Sequence, residues 1–132
     1  MSLDEQNRQT LVRLYWDKSV NTFDELESAI REEKWNMAAN RMYYSVFHAV
    51  TALLVKDGHQ VVSHRGTKGA LGLHYVKTGL IDVEEARVFA QLATLRERAD
   101  YDIIFTASHD EVMKLLPHTI RLIEKIKVLL GI

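Results

Sequence analysis

WNMAANRMYYSVFHAVTALL, from Trp35 to Leu54, is the stretch on which the fold turns. At about 100° per residue, Met42, Val46, Phe47, Val50, Leu53 and Leu54 cover most of a helical surface, so the segment reads as a helix apolar nearly all round. Such a helix belongs inside a bundle, with neighbours on several sides. One narrow line interrupts the apolar surface. Arg41, Tyr44, Ser45, His48 and Thr51 fall within about a third of the circumference, flanked by Ala49 and Ala52. Buried polar groups need partners, so another element has to meet that line.

LRERADYD, from Leu95 to Asp102, offers them. It ends a helix predicted from near Asp82, an N-cap residue followed by Glu84 and Glu85 at the positive end of the dipole. The apolar face of that helix is Val88, Phe89, Leu92, Ala93, Leu95 and Ala99. Arg96 and Asp100 point with these apolar residues, whereas Arg98 and Tyr101 point away from them. An Arg and an Asp four residues apart can pair, but pairing on an inward face is costly unless other polar groups join. The expectation is a network or pocket in which Arg41, Tyr44 and His48 meet Arg96 and Asp100.

The rest of the chain reads as helix too, giving five helices and no strand. The first runs from about Leu3 or Arg8 to Glu33, with Leu11, Tyr15, Phe23, Leu26 and Ile30 on one face and an ambiguous middle at Asn21 and Thr22. The second spans about Lys34 to Asp57 and stops at Gly58. A polar loop, Gly58 to Gly66, carries His59 and His64. A short third helix is expected over Thr67–Thr78, closed by Gly79. The fifth opens at Ser108-His109-Asp110-Glu111, the spacing of a capping box. Its apolar positions Val112, Leu115, Leu116, Ile120, Ile123, Ile126 and Leu130 keep one period across Pro117, predicting one kinked helix. Short connections favour antiparallel neighbours, hence an all-α, up-and-down four- to five-helix bundle.

The 132 residues make one domain, 1–132, with 47% hydrophobic and 27% charged residues, ordinary values for a globular protein. There is no cysteine, hence no disulfide framework and no thiolate chemistry. MSLDEQNRQT lacks the basic and apolar regions of a signal peptide, and no apolar run is long enough to span a bilayer. A cytoplasmic protein is expected. A net charge of −1 and a pI near 6.6 argue against a general binder of duplex DNA, though not against a local basic patch. The six histidines show no metal-ligand spacing, so neither metal nor cofactor is expected. No serine sits in a nucleophile motif. Trp16, Trp35, Tyr43 and Phe47 read as core or interface, and Arg31 to Lys34 as a solvated helix end. His64 reads either as a capping loop residue or, with Arg65 and Gly66, as a phosphate contact at a helix N-terminus.

Four pieces in register resemble the HEPN superfamily. They are A-x-N-R-x-Y-Y-x-x-F-H at Ala38–His48, S-H-R-G at Ser63–Gly66, H-Y-V-K-T-G at His74–Gly79, and R-x-x-A-D-Y at Arg96–Tyr101. The resemblance extends from about Arg8 to Leu130. It implies a helical bundle, frequently a homodimer, in a setting of nucleotidyltransferase partners, toxin–antitoxin pairs or RNA processing. Many members of that superfamily are metal-independent ribonucleases whose motif is an Arg followed, after four to six residues, by a His. Here Arg96 takes the Arg position and Tyr101 stands where the His would be. A phenol ionises far above neutral pH and is a poor general base. Arg41 and His48 also match the spacing, but lie in the family's structural Y-Y-x-x-F-H element. The resemblance therefore implies a non-catalytic nucleotide- or RNA-binding module, with ligand-binding residues Arg41, Tyr44, His48, His64, Arg96, Asp100 and Tyr101. The alternative is an atypical ribonuclease in which Arg96 works with His48 or His64.

Overall fold

The computed structural model describes residues 4–60 and 63–132. Leu3, one of the two expected helix starts, and Val61 and Val62 of the expected loop lie outside the described residues. Among the described residues there are five α-helices and no strand: α1 (Glu5–Arg31), α2 (Trp35–Lys56), α3 (His64–Leu71), α4 (Val83–Tyr101) and α5 (His109–Leu130). None is long and apolar enough to cross a membrane.

Helix α1 starts at Asp4, whose side chain accepts the Asn7 N–H at 2.8 Å. It runs without a break through Asn21 and Thr22, because Thr22 and Ser19 lie on its inner face. The Ser19 hydroxyl donates to the Ser45 carbonyl of α2 at 2.6 Å, so a polar group is buried without loss of a hydrogen bond. The helix ends in a Schellman turn. Lys34 N–H reaches Ala29 O at 2.9 Å and Glu33 N–H reaches Ile30 O at 3.0 Å, with Glu33 at φ 56°. Only three residues separate α1 from α2, and the two pack along each other as an antiparallel hairpin.

Helix α2 is the centre of the bundle, touching α1, α3, α4 and α5. Its Ala38, Met42, Val46, Ala49, Val50 and Ala52 are fully buried, as the apolar surface of Trp35–Leu54 requires. The expected polar line along α2 is divided. Ser45 donates to Met42 O and Thr51 to Phe47 O, both within their own helix.

The third helix begins three residues earlier than expected. Ser63 is its N-cap, accepting the Gly66 N–H at 2.9 Å, so His64 is its first helical residue and not a capping one. After Leu71 the chain widens into a π-helical turn, Gly72–Val76. That turn brings Tyr75 inward, where its hydroxyl donates to Asp57 Oδ2 at 2.6 Å. Helix α4 opens at the expected N-cap, Asp82, which forms a full capping box with Glu85, and α5 opens with the expected box of Ser108 and Glu111. Helix α5 is continuous through Pro117, and its expected inner face is met at Val112, Leu115, Leu116, Ile123, Ile126 and Leu130 but not at Ile120. Thr119 and Leu122 are fully buried, whereas Ile120 is half turned to solvent. The Thr119 hydroxyl donates to Leu115 O, which lets a threonine occupy a core position.

Candidate functional site

Arg96 is the polar residue that the fold places least comfortably. It lies on the inner face of α4 with 6% of its surface exposed. Its guanidinium rests on aromatic rings: the central carbon is 5.1 Å from the centre of Tyr43, 5.8 Å from Tyr44 and 5.7 Å from Tyr101. Its nearest carboxylates, Asp100 and Glu97, are both 3.9 Å away, beyond hydrogen-bond distance. Its Nε is buried with no hydrogen-bond partner.

An open groove of about 640 Å³ lies over this guanidinium, lined by Tyr44, His64, Arg96, Glu97, Arg98, Tyr101 and Asp102. Helix α2 contributes one wall, the first turn of α3 a second, and the last turn of α4 the third. The Arg98 guanidinium is held at the rim by the Phe105 ring, 4.1 Å away. Two arginines face Glu97 and Asp102, so the groove is locally balanced in formal charge. That suits one phosphate held by geometry better than a long polyanion held by field.

His64 enters from α3. Its ring lies 4.6 Å from Phe47, and its Nδ1 is 2.7 Å from the Tyr43 hydroxyl. Tyr43 is 1% exposed, and its ring stacks on Phe89 at 5.5 Å with the planes 1° apart. Burial pushes the Tyr43 phenol up to about 12, against the opposing pull of Arg96. This hydroxyl is a site component that the sequence reading assigned to the core.

The other expected site residues are distributed as follows. Tyr44 stands between two arginines, with Arg41 5.6 Å from its ring centre on one side and Arg96 on the other. Arg41 does not join Arg96: it turns to α1, meeting Glu25 Oε1 at 3.2 Å, and donates to Asn40 Oδ1 at 2.6 Å. His48 does not line the groove. Its ring stacks against Tyr44 at 5.9 Å and its Nδ1 is buried without a partner. Burial first, and then Lys18 and Arg41, push its imidazole down to about 4. Asp100 accepts the Asn40 amide at 2.9 Å, so α2 does answer α4, through a residue the sequence reading did not single out. Tyr101 points away from the apolar face, as the helical wheel expects, and is 77% exposed; its ring is nonetheless within reach of the long Arg96 side chain. Among the described residues no cluster of His, Cys, Asp or Glu is arranged to hold a metal ion.

Comparison with known proteins agrees with this geometry's family. The HEPN domain model matches residues 12–129. A Thermotoga maritima protein named UPF0332 is 28% identical over 72% of this chain and 73% of its own length. A UPF0332 protein of Pyrococcus horikoshii is 35% identical over 72% of this chain and 66% of its own. A Methanocaldococcus jannaschii protein carrying the name "Putative toxin" is 28% identical over 76% of this chain and 68% of its own. With a five-helix bundle and a family model covering nearly its whole length, the chain belongs to the HEPN domain family.

Proposed function

We propose that this chain is a non-catalytic HEPN module that binds a phosphate-bearing ligand, a nucleotide or the end of a single-stranded RNA, in the groove between α2, α3 and α4. The observation that carries the reading is Arg96. A guanidinium 94% removed from solvent, with one buried nitrogen unpartnered and no carboxylate within hydrogen-bond reach, is costly unless an anionic oxygen completes it. Tyr44 and Tyr101 flank it with ring faces suited to a nucleobase. Tyr101 in place of the family's histidine, and His48 outside the groove, remove two proton carriers that cleavage would use. The toxin names of two relatives support a place in a toxin–antitoxin pair; a nucleotidyltransferase partner and a cytoplasmic compartment are part of the same proposal. We further propose a homodimer, because Tyr101, Ile103 and Ile104 form an apolar edge beside the groove, the two isoleucines 98% and 90% exposed.

A second reading keeps one observation in its favour. His64 shares the groove with Arg96, so a metal-independent ribonuclease would use His64 as its proton carrier. One experiment separates the two. Purified protein is incubated in chelator with fluorescein-labelled single-stranded RNA, and both anisotropy and product are followed for the wild type and Arg96→Met. Binding without cleavage, weakened about tenfold or more in the variant, is expected. The stability of Arg96→Met should stay within about 1 kcal/mol of wild type, because a methionine fills the volume without an unpaired buried charge. Cleavage that the variant loses would make the protein an enzyme and overturn the proposal.

A further inference from the structure

A phenol hydroxyl carries one hydrogen, and when it is buried that hydrogen needs an acceptor. Among the described residues, the Tyr43 hydroxyl meets His64 Nδ1 at 2.7 Å. The phenol, raised by burial, keeps its proton throughout the physiological range. Donating that proton to Nδ1 means Nδ1 carries none. In a neutral imidazole the remaining proton then sits on Nε2.

Three aromatic rings border the imidazole. Phe47 packs on it at 4.6 Å, and Tyr43 and Tyr44 each lie 5.7 Å from its centre. Tyr43 in turn is fixed between Phe89, stacked on one side, and the Arg96 guanidinium. A chain of contacts therefore runs from the core through Tyr43 to the nitrogen that His64 can offer the groove.

We infer that Tyr43 is a positioning residue that holds His64 as the Nε2–H tautomer, so that the groove meets its ligand with two donors, His64 and Arg96, and selects an oxyanion such as a phosphate ester. The inference rests on the phosphate-binding reading above and adds the residue that enforces it. A donor nitrogen cannot take a proton from a ribose hydroxyl, so the bond that builds the anion site also works against cleavage by His64.

Two measurements test it. The first needs no ligand: long-range proton–nitrogen correlation spectra of protein with nitrogen-15 histidine, recorded at about pH 8 where an ordinary imidazole is neutral. His64, assigned by its loss in His64→Gln, is expected to show an unprotonated Nδ1 and a protonated Nε2, and Tyr43→Phe is expected to mix the two tautomers. The second is binding of a fluorescein-labelled oligouridylate with a 5′-phosphate. Tyr43→Phe keeps the ring and should weaken binding about three- to tenfold, while its melting curve reports the fold separately. Glutamine has an acceptor and a donor in one planar group, so His64→Gln should remain within about threefold of wild type, and His64→Leu should lose about tenfold. An Nδ1–H tautomer in the wild type would overturn the inference. So would unchanged binding by folded Tyr43→Phe when Arg96→Met has lost it, an outcome that leaves the phosphate reading standing. Failure of the wild type to bind the probe, with the tautomer as inferred, would refute that reading and the ligand class assigned here.

Discussion

The Nδ1 of His48 is buried and meets no partner, and Lys18 and Arg41 add positive charge nearby. Burial and these two cations hold the imidazole neutral down to about pH 4, against an ordinary value of 6.5. The unfolded chain takes up a proton as pH falls through 6.5, and the folded chain does not until about 4. Stability should therefore drop across that window as pH falls, and be unaffected by this group above it. The full shift would correspond to about 3 kcal/mol; allowing for the partial exposure of the ring, a loss of roughly 1–2 kcal/mol is expected. Urea melts at about pH 7 and pH 4.5 measure it, and His48→Phe should flatten the difference. An equally steep loss in the variant would assign the acid sensitivity to other groups. Arg96 and His48 thus have different tasks: one lines an open groove, and the other lies outside it, half-buried against Tyr44.

At the scale of the element, the turn between α1 and α2 shows what local chemistry can and cannot decide. Glu33 takes a left-handed conformation, φ 56°, that a glycine adopts without steric cost. Its backbone bonds complete the Schellman turn, and its side chain adds nothing to that geometry. Glu33→Gly should stabilise the protein by about 0.5–1 kcal/mol, read as a raised denaturation midpoint with unchanged slope. A destabilised variant would show that the carboxylate contributes more than the conformation costs. Other helix ends were legible beforehand. Asp82 and Ser108 each carry a glutamate three residues on, and both boxes form. Ser63 offered the same kind of signal without the glutamate, and the glycines that follow it hid the start of α3. The π-helical turn had no local signature, since it is set by Tyr75 reaching Asp57. On α5 a hydrophobicity pattern assigns Thr119 to solvent, because it does not count a hydroxyl satisfied by its own helix. The inward placement of Arg96 followed from period alone. Its partners did not, because long side chains from three helices decide which rings it meets.

For the whole molecule, the edge formed by Tyr101, Ile103 and Ile104 is the surface least suited to water. Homodimerisation there should bury more than about 1,000 Å² and be visible by sedimentation at micromolar concentration. Ile103→Glu with Ile104→Glu should yield a folded monomer; a dimer that survives both changes would place the interface elsewhere. Helix α2 organises everything else. The α1–α2 hairpin is the most extensively packed pair, whereas α3 and α4 touch each other lightly and rely on α2. Tyr43 and Tyr44 belong to the hairpin, His64 to α3, Arg96 to α4. The groove is thus a seam between three pieces of unequal cohesion. Seams of this kind open more readily than the body they join. A ligand bridging Arg96 and His64 would act as a stitch, slowing amide exchange in α3 and the end of α4 while leaving the α1–α2 hairpin as it was.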